Sequence, residues 1–262
     1  MSERKSVLTS PRHGSVLGTR LDLTDYGEAL QRVVALARRD QVSLIAAANT
    51  HLVAETVSNK DFADVLCGFD MVLPDGMPLV WALKLDGHRL RDRVYGPYFM
   101  AHVLKNAPLE MTHCFFGGTP ECLEQLQQRV RQMRPGIKIT DAIAPPFGIW
   151  DADTEEDLIV RINRSAADFV WVALGGVKQE TWLARQRHRF TRGVFVGAGD
   201  AFALLAGLRG YAPEWMQRCG LTWLHRLACE PRRLLSRYLR YNTRFVTAFL
   251  AERMRRAWSG YH

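Results

Sequence analysis

Asp75 stands in Leu73-Pro74-Asp75-Gly76, between a short apolar stretch and a helical pattern. A carboxylate so placed either caps the helix or works as a general base at the carboxyl end of a strand. Asn49, directly after the apolar run Val42–Ala48, carries the same two readings, helix cap or ligand contact. Gln179 and Glu180 open a helix after Gly175-Gly176, and Glu180 there compensates the helix dipole. Gly117-Gly118-Thr119-Pro120 lies between a further strand and helix. Glycines at such a turn let a phosphate approach the backbone, and the helix start supplies unpaired amides and a positive dipole end. An ordinary strand–helix turn has the same residues, so that pattern is weak alone.

The net charge adds a second chemistry. From Arg218 to His262 there are ten arginines, no lysines and two acids, whereas the preceding 217 residues carry 25 basic and 25 acidic side chains. Arg233, Arg237, Arg240 and Arg244 recur at spacings of four, three and four, which places them on one helical stripe. Leu234, Leu235, Tyr238, Leu239, Tyr241, Phe245, Val246, Phe249 and Leu250 fill much of the remainder. Guanidinium forks suit bidentate phosphate binding. A phosphate or membrane-surface role therefore ranks ahead of a solvated charge run.

Other chemistries lack their fingerprints. The chain has no G-x-G-x-x-G, no G-x-x-x-x-G-K-[ST] and no G-x-S-x-G. Its histidines show no H-x-x-x-H or H-E-x-x-H spacing, and Asp151-Ala152-Asp153 reads as a capping cluster, so no metal site is expected. The five cysteines form no C-x-x-C pair; Cys67 and Cys114 read as small buried hydrophobes in a reduced compartment.

The elements that must position these residues follow from the hydrophobic pattern. Val42–Ala48, Met111–Phe116, Ile137–Ala142, Phe169–Leu174 and Gly193–Val196 read as strands. Helical patterns cover Tyr26–Arg39, Thr50–Ser58, Gly76–Leu85, Pro120–Met133, Thr154–Ser165 and Gln179–Phe190. Near-continuous apolar strands alternating with helices predict an α/β fold, a mainly parallel Rossmann-like sheet with helices on both faces. Ligands bind such sheets beyond the strands' carboxyl ends, where the Asn49, Gly117-Gly118-Thr119, Gly175-Gly176 and Gly197-Ala198-Gly199 turns fall. The charge map divides the chain into a body, 1–214, and a basic amphipathic appendage, 215–262. No apolar run approaches the roughly 18 residues of a membrane span, and the polar N-terminus has no signal-peptide pattern, so the protein is expected to stay in the compartment of its synthesis.

The blocks LPDGMPLVWALKLDG (73–87), RVYG (93–96), FFGGTPE (115–121), ALGGVKQETW (173–182), GAGDAFALLAG (197–207) and YAPEWMQRCGLTWLHRLACEPRRLLSRYLRY (211–241) resemble, in order, the WecG/TagA/CpsF family of bacterial glycosyltransferases, glycosyltransferase family 26. The resemblance runs from about Val16 to Tyr241. It implies an inverting hexosyl- or N-acetylhexosaminyl-transferase that moves a sugar, without metal or cofactor, from a UDP-sugar to a saccharide on undecaprenyl diphosphate. It implies Asp75 as general base, Asn49 as an active-site residue and Gln179 as a binding residue. It brings the appendage to an anionic membrane surface and carries its arginines, Arg226, Arg232 or Arg233, and Arg237, to the diphosphate; the turn at Gly117, Gly118 and Thr119, read from its own residues, is a further candidate diphosphate contact. The implied location is the cytoplasmic face of a bacterial inner membrane, with no nucleic-acid partner and with homo-oligomerisation left open.

The chain departs from the family pattern at several points. Ala47 replaces a threonine, Val177 a proline, Ala203 the aspartate of F-D-F, Tyr211 the arginine of R-A-P and Thr222 the glutamate of E-W-L. The changes at Ala47 and Ala203 bear on donor recognition, so N-acetylmannosamine is not carried over. Two rivals stand beside the enzyme reading: a nucleic-acid binder using the basic tail, and a catalytically lapsed member serving as a scaffold.

Overall fold

The computed structural model describes residues 12–259. It opens on an antiparallel hairpin of β1 (His13–Val16) and β2 (Thr19–Asp22), which the sequence pattern did not disclose because each strand has only four residues. Next, α1 (Tyr26–Ala37) starts where the Asp25 carboxylate accepts the Glu28 amide.

Six strands then build one sheet: β3 (Val42–Ala48), β4 (Met71–Pro74), β5 (Thr112–Gly117), β6 (Lys138–Ile143), β7 (Phe169–Ala173) and β8 (Gly193–Gly197). Their order is β4-β3-β8-β7-β5-β6, every neighbouring pair parallel. The crossovers are α2 (Thr50–Ser58) with α3 (Lys60–Cys67), α4 (Met77–Leu85) with α5 (Gly96–Asn106), α6 (Pro120–Met133), α7 (Ala152–Ser165) and α8 (Lys178–Gln186); α9 (Ala201–Leu205) follows β8. Successive strand residues enter opposite cores. Leu44, Ala46 and Ala48 join Leu79, Leu83, Ile159 and Leu183 on one face, while Ile45, Met71 and Leu73 join Val33, Phe99, Leu126 and Phe202 on the other. Burial on both faces is why these strands read as unbroken apolar runs.

Some expectations are corrected. Helix α8 stops at Gln186, and Arg187–Arg189 form a 3-10 turn instead of continuing to Phe190. Cys67 is exposed, because it ends α3 on the side opposite the buried Phe62 and Leu66. Asp151 does cap α7, accepting the Thr154 amide at 2.8 Å.

The C-terminal segment forms α10 (Glu214–Arg218), α11 (Thr222–Cys229) and α12 (Pro231–Ser259). Helix α12 packs on α2, and its Leu234 and Phe245 are buried, with Phe245 in the body's own core. The arginine stripe does not stay together as one exposed face. It borders the packed side of α12, so Arg237 enters a cavity and Arg244 donates to Ser58 Oγ at 2.5 Å, while Arg240 is exposed. The side chain of Arg233 lies outside the described residues. Among the residues that α12 turns outward are six large apolar ones, Leu235, Leu239, Val246, Leu250, Met254 and Trp258, beside exposed arginines such as Arg240 and Arg255.

Candidate functional site

A cavity of about 580 Å³ opens beyond the carboxyl ends of β3, β4, β7 and β8. That is where an open parallel sheet separates its loops to hold a ligand. Residues from α11 and α12 complete the wall, so body and C-terminal segment share one site.

Asp75 ends β4 and faces this cavity. It does not cap α4, whose first turn starts from Gly76 without a side-chain cap. Its Oδ1 instead accepts the amide of Gly96, the first residue of α5, at 2.5 Å. Burial raises the carboxyl to about 6, against that amide bond and the lowering effects of Arg93 and Arg226. The group is thus ionised near neutrality but basic enough to accept a proton, and Oδ2 has no hydrogen-bond partner among the described residues. Asn49 is a helix cap: its Oδ1 accepts the amides of His51 and Leu52 at the start of α2, at 3.0 and 3.3 Å, and the residue also lines the cavity.

Gln179 and Glu180 form a fixed pair in the cavity wall. Both are buried; Gln179 Nε2 donates to Glu180 Oε1 at 2.8 Å, and the amide of Val177 donates to Glu180 Oε2 at 2.7 Å. A Cβ on Gly197 would stand 2.8 Å from Gln179 Nε2, so the glycine in the G-A-G turn makes room for this pair. The ionised Glu180 holds the amide by its NH₂ end, which leaves Gln179 Oε1 buried without a partner. Val177 lies at φ 69 and ψ −53, a left-handed backbone that a β-branched residue resists and a proline cannot take. Its amide bond to buried Glu180 maintains that strain beside the site.

The cations come from three places. Arg93 is buried, lies 4.4 Å over the Tyr95 ring and donates to Thr222 Oγ1 at 3.1 Å. A hydroxyl at 222, where the family motif has a carboxylate, leaves the Arg93 charge uncompensated at that contact. Arg226 is ion-paired with Asp200. Arg237 has a buried Nε without a partner. An orphaned acceptor on Gln179 and an orphaned donor on Arg237, both lining one cavity, are groups that a polar ligand would satisfy. His51, its ring tilted against Tyr241 with centroids 4.0 Å apart, is lowered to about 4 by burial and by Arg237, so it is neutral at physiological pH.

Of the residues singled out in the sequence, Asp75, Asn49, Gln179, Arg226 and Arg237 meet in this cavity. Gly117, Gly118 and Thr119 do not line it. Gly117 is glycine because a Cβ would lie 2.4 Å from the carbonyl oxygen of Ala173, and Thr119 caps α6 by accepting the Cys122 amide. Arg232 is exposed and does not line the cavity. Arg93 and Asp200 were not singled out. Arg93 opens the RVYG block and Asp200 closes Gly197-Ala198-Gly199-Asp200, so a motif position was the available signal for both. Ala203 is off the cavity lining, while Asp200, three residues earlier, brings a carboxylate to it.

A protein of Bacillus subtilis (strain 168) called N-acetylglucosaminyldiphosphoundecaprenol N-acetyl-beta-D-mannosaminyltransferase is 29% identical over 200 residues, 74% of this chain and 75% of the relative. A protein of the same name from Bacillus spizizenii is 31% identical over 212 residues, 79% of each chain. Residues 14–259 match the profile of the glycosyl transferase WecG/TagA/CpsF family, and the chain belongs to that family.

Proposed function

We propose that this glycosyltransferase transfers a sugar, with inversion, from a UDP-sugar to a hydroxyl of a saccharide carried on undecaprenyl diphosphate. The observation that carries the reading is Asp75. It is a carboxylate raised to about 6, open to a cavity whose wall also carries Arg93, Arg226 and Arg237. Asp75 takes the proton from the acceptor hydroxyl as that oxygen bonds to the anomeric carbon. The bond from that carbon to the UDP oxygen breaks on the opposite side, and the electron pair leaves with the diphosphate. The three guanidinium groups stabilise the charge that develops there. In this proposal they replace a divalent ion. Among the described residues no three His, Cys, Asp or Glu side chains stand together in a way that would hold one.

The names of the relatives support an acceptor on diphosphoundecaprenol and a role in cell-envelope synthesis. The donor sugar is left open, because Ala47 lines the cavity where the family motif has a threonine hydroxyl. Among the described residues no helix is long and apolar enough to cross a membrane. We propose peripheral binding through the outward apolar face of α12 and its arginines, at the cytoplasmic face of a bacterial membrane, with 1–214 as the catalytic body. A nucleic-acid binder would leave this cavity and its raised carboxyl without a role.

A screen of UDP-sugars, following UDP release with a short-chain lipid-diphosphate-sugar acceptor and EDTA present, tests the reading. Release with at least one donor supports it. A strict requirement for Mg²⁺ or Mn²⁺ would overturn the electrostatic part, and no release with any donor would favour the scaffold.

A further inference from the structure

Asp200 directly precedes α9, a position where an aspartate ordinarily caps the helix with its side chain. It makes no such bond. Its carboxylate is turned the other way, into an alternating chain of charges that joins the body to the C-terminal segment. Oδ2 pairs with Arg226 of α11, and Oδ1 lies 3.6 Å from Arg209 Nη1. Arg209 in turn pairs with Glu230, just past the end of α11. The order is Arg226, Asp200, Arg209, Glu230: two body residues on either side of α9 interleaved with two residues of the appendage.

We propose that Asp200 is the positioning residue for Arg226, docking α11 on the body and fixing the guanidinium in the cavity before a ligand arrives. Several observations support it. Arg226 stands within electrostatic range of Asp75 and Tyr95, at the catalytic end of the cavity. Burial works against its charge, and Asp200 is the strongest group that restores it. An unanchored arginine would have to be ordered at each turnover, whereas a paired one is already in place. Arg93 is held in a parallel way, by Thr222 of the same helix, so docking of α11 sets two of the three cavity cations together. The role of Asp200 in turnover rests on the diphosphate reading above; its role in docking does not.

The experiment uses the full chain and two readouts: hydrogen–deuterium exchange of peptides spanning 222–230, and steady-state kinetics with a UDP-sugar and a short-chain soluble acceptor. Asp200→Asn should speed exchange across α11 about tenfold and raise KM for the donor about tenfold, with kcat within about threefold, the scale of one lost charge-assisted hydrogen bond. Exchange in β3 and β5 should stay slow, which shows that the body is folded. Asp200→Glu should retain most of both properties. Wild-type exchange and KM in Asp200→Asn would overturn the proposal, as would an Asp200→Glu variant that loses both properties as fully as Asp200→Asn. If the wild-type protein neither binds UDP nor releases it, the exchange arm still judges the docking, and only the functional reading falls.

Discussion

The two walls of the cavity are built on different principles. The body wall holds its groups by bonds made within the body: Asp75 to the first amide of α5, Asn49 to the first turn of α2, Gln179 to its neighbour Glu180. The C-terminal wall holds arginines on helices whose place depends on docking, through Leu234 and Phe245 and through pairs spanning the chain. In the proposed reaction the body therefore supplies a base whose properties are fixed by folding. The appendage supplies charge that is present only while it is docked. A lipid-linked substrate suits this division, since the segment that brings the cations also turns an apolar face outward.

The largest effect should come from the body wall. Asp75→Asn should fold normally and lose about 10² to 10⁴ in turnover, the ordinary worth of a general base. The same change should raise Tm at pH 8. A carboxyl whose folded pKa lies above its unfolded value stabilises the fold in mild acid, and that contribution is lost as pH rises through about 6. Thermal melts together with kinetics read both signs. Near-wild-type turnover would remove the base from the account.

On the other wall, Leu239→Ser, Leu250→Ser and Trp258→Ser combined should cut binding to anionic vesicles by at least about tenfold, since each buried apolar side chain is worth about 1.5–3 kcal/mol. Turnover on a soluble acceptor should be unchanged. Flotation and kinetics measured side by side would show whether the outer face of α12 serves the membrane alone.

A subtler test separates two carboxyls raised to the same range. Asp75 and Glu180 are both raised to about 6 by burial, so kcat/KM should fall as pH drops below about 6. Glu180→Gln should lower the plateau yet leave that acid limb in place, because in the proposed reaction the titrating base is Asp75. A pH profile from which the limb disappears would transfer the role to Glu180.

Smallest is the strained turn. Val177→Gly should stabilise the protein by about 1 kcal/mol, since glycine takes a positive φ freely. Denaturant unfolding reads it, and a loss of stability would mean that the valine side chain contributes more than its backbone costs.

The parallel sheet was legible because burial on both faces leaves unbroken apolar runs, and Asp75 and Asn49 were legible because they end two such runs. The hairpin of β1 and β2 was not, its strands being too short to show a period. Helix α5 was passed over although Pro97 marks its first turn. Arg93 and Asp200 gain their meaning from partners 129 and 26 residues away, Thr222 and Arg226, which no local pattern connects. The inward turn of Arg237 and the outward turn of Arg240 follow from how α12 seats on α2. The stripe alone left them equivalent.

The central claim is that the arginines of the C-terminal segment belong to the catalytic site and are not only a membrane anchor. Arg226→Ala combined with Arg237→Ala, assayed on a short-chain soluble acceptor without membrane, tests it most directly. The account predicts that kcat/KM for the UDP-sugar falls at least about a hundredfold, two charge-assisted contacts having been lost. Wild-type kcat/KM in this variant would contradict it.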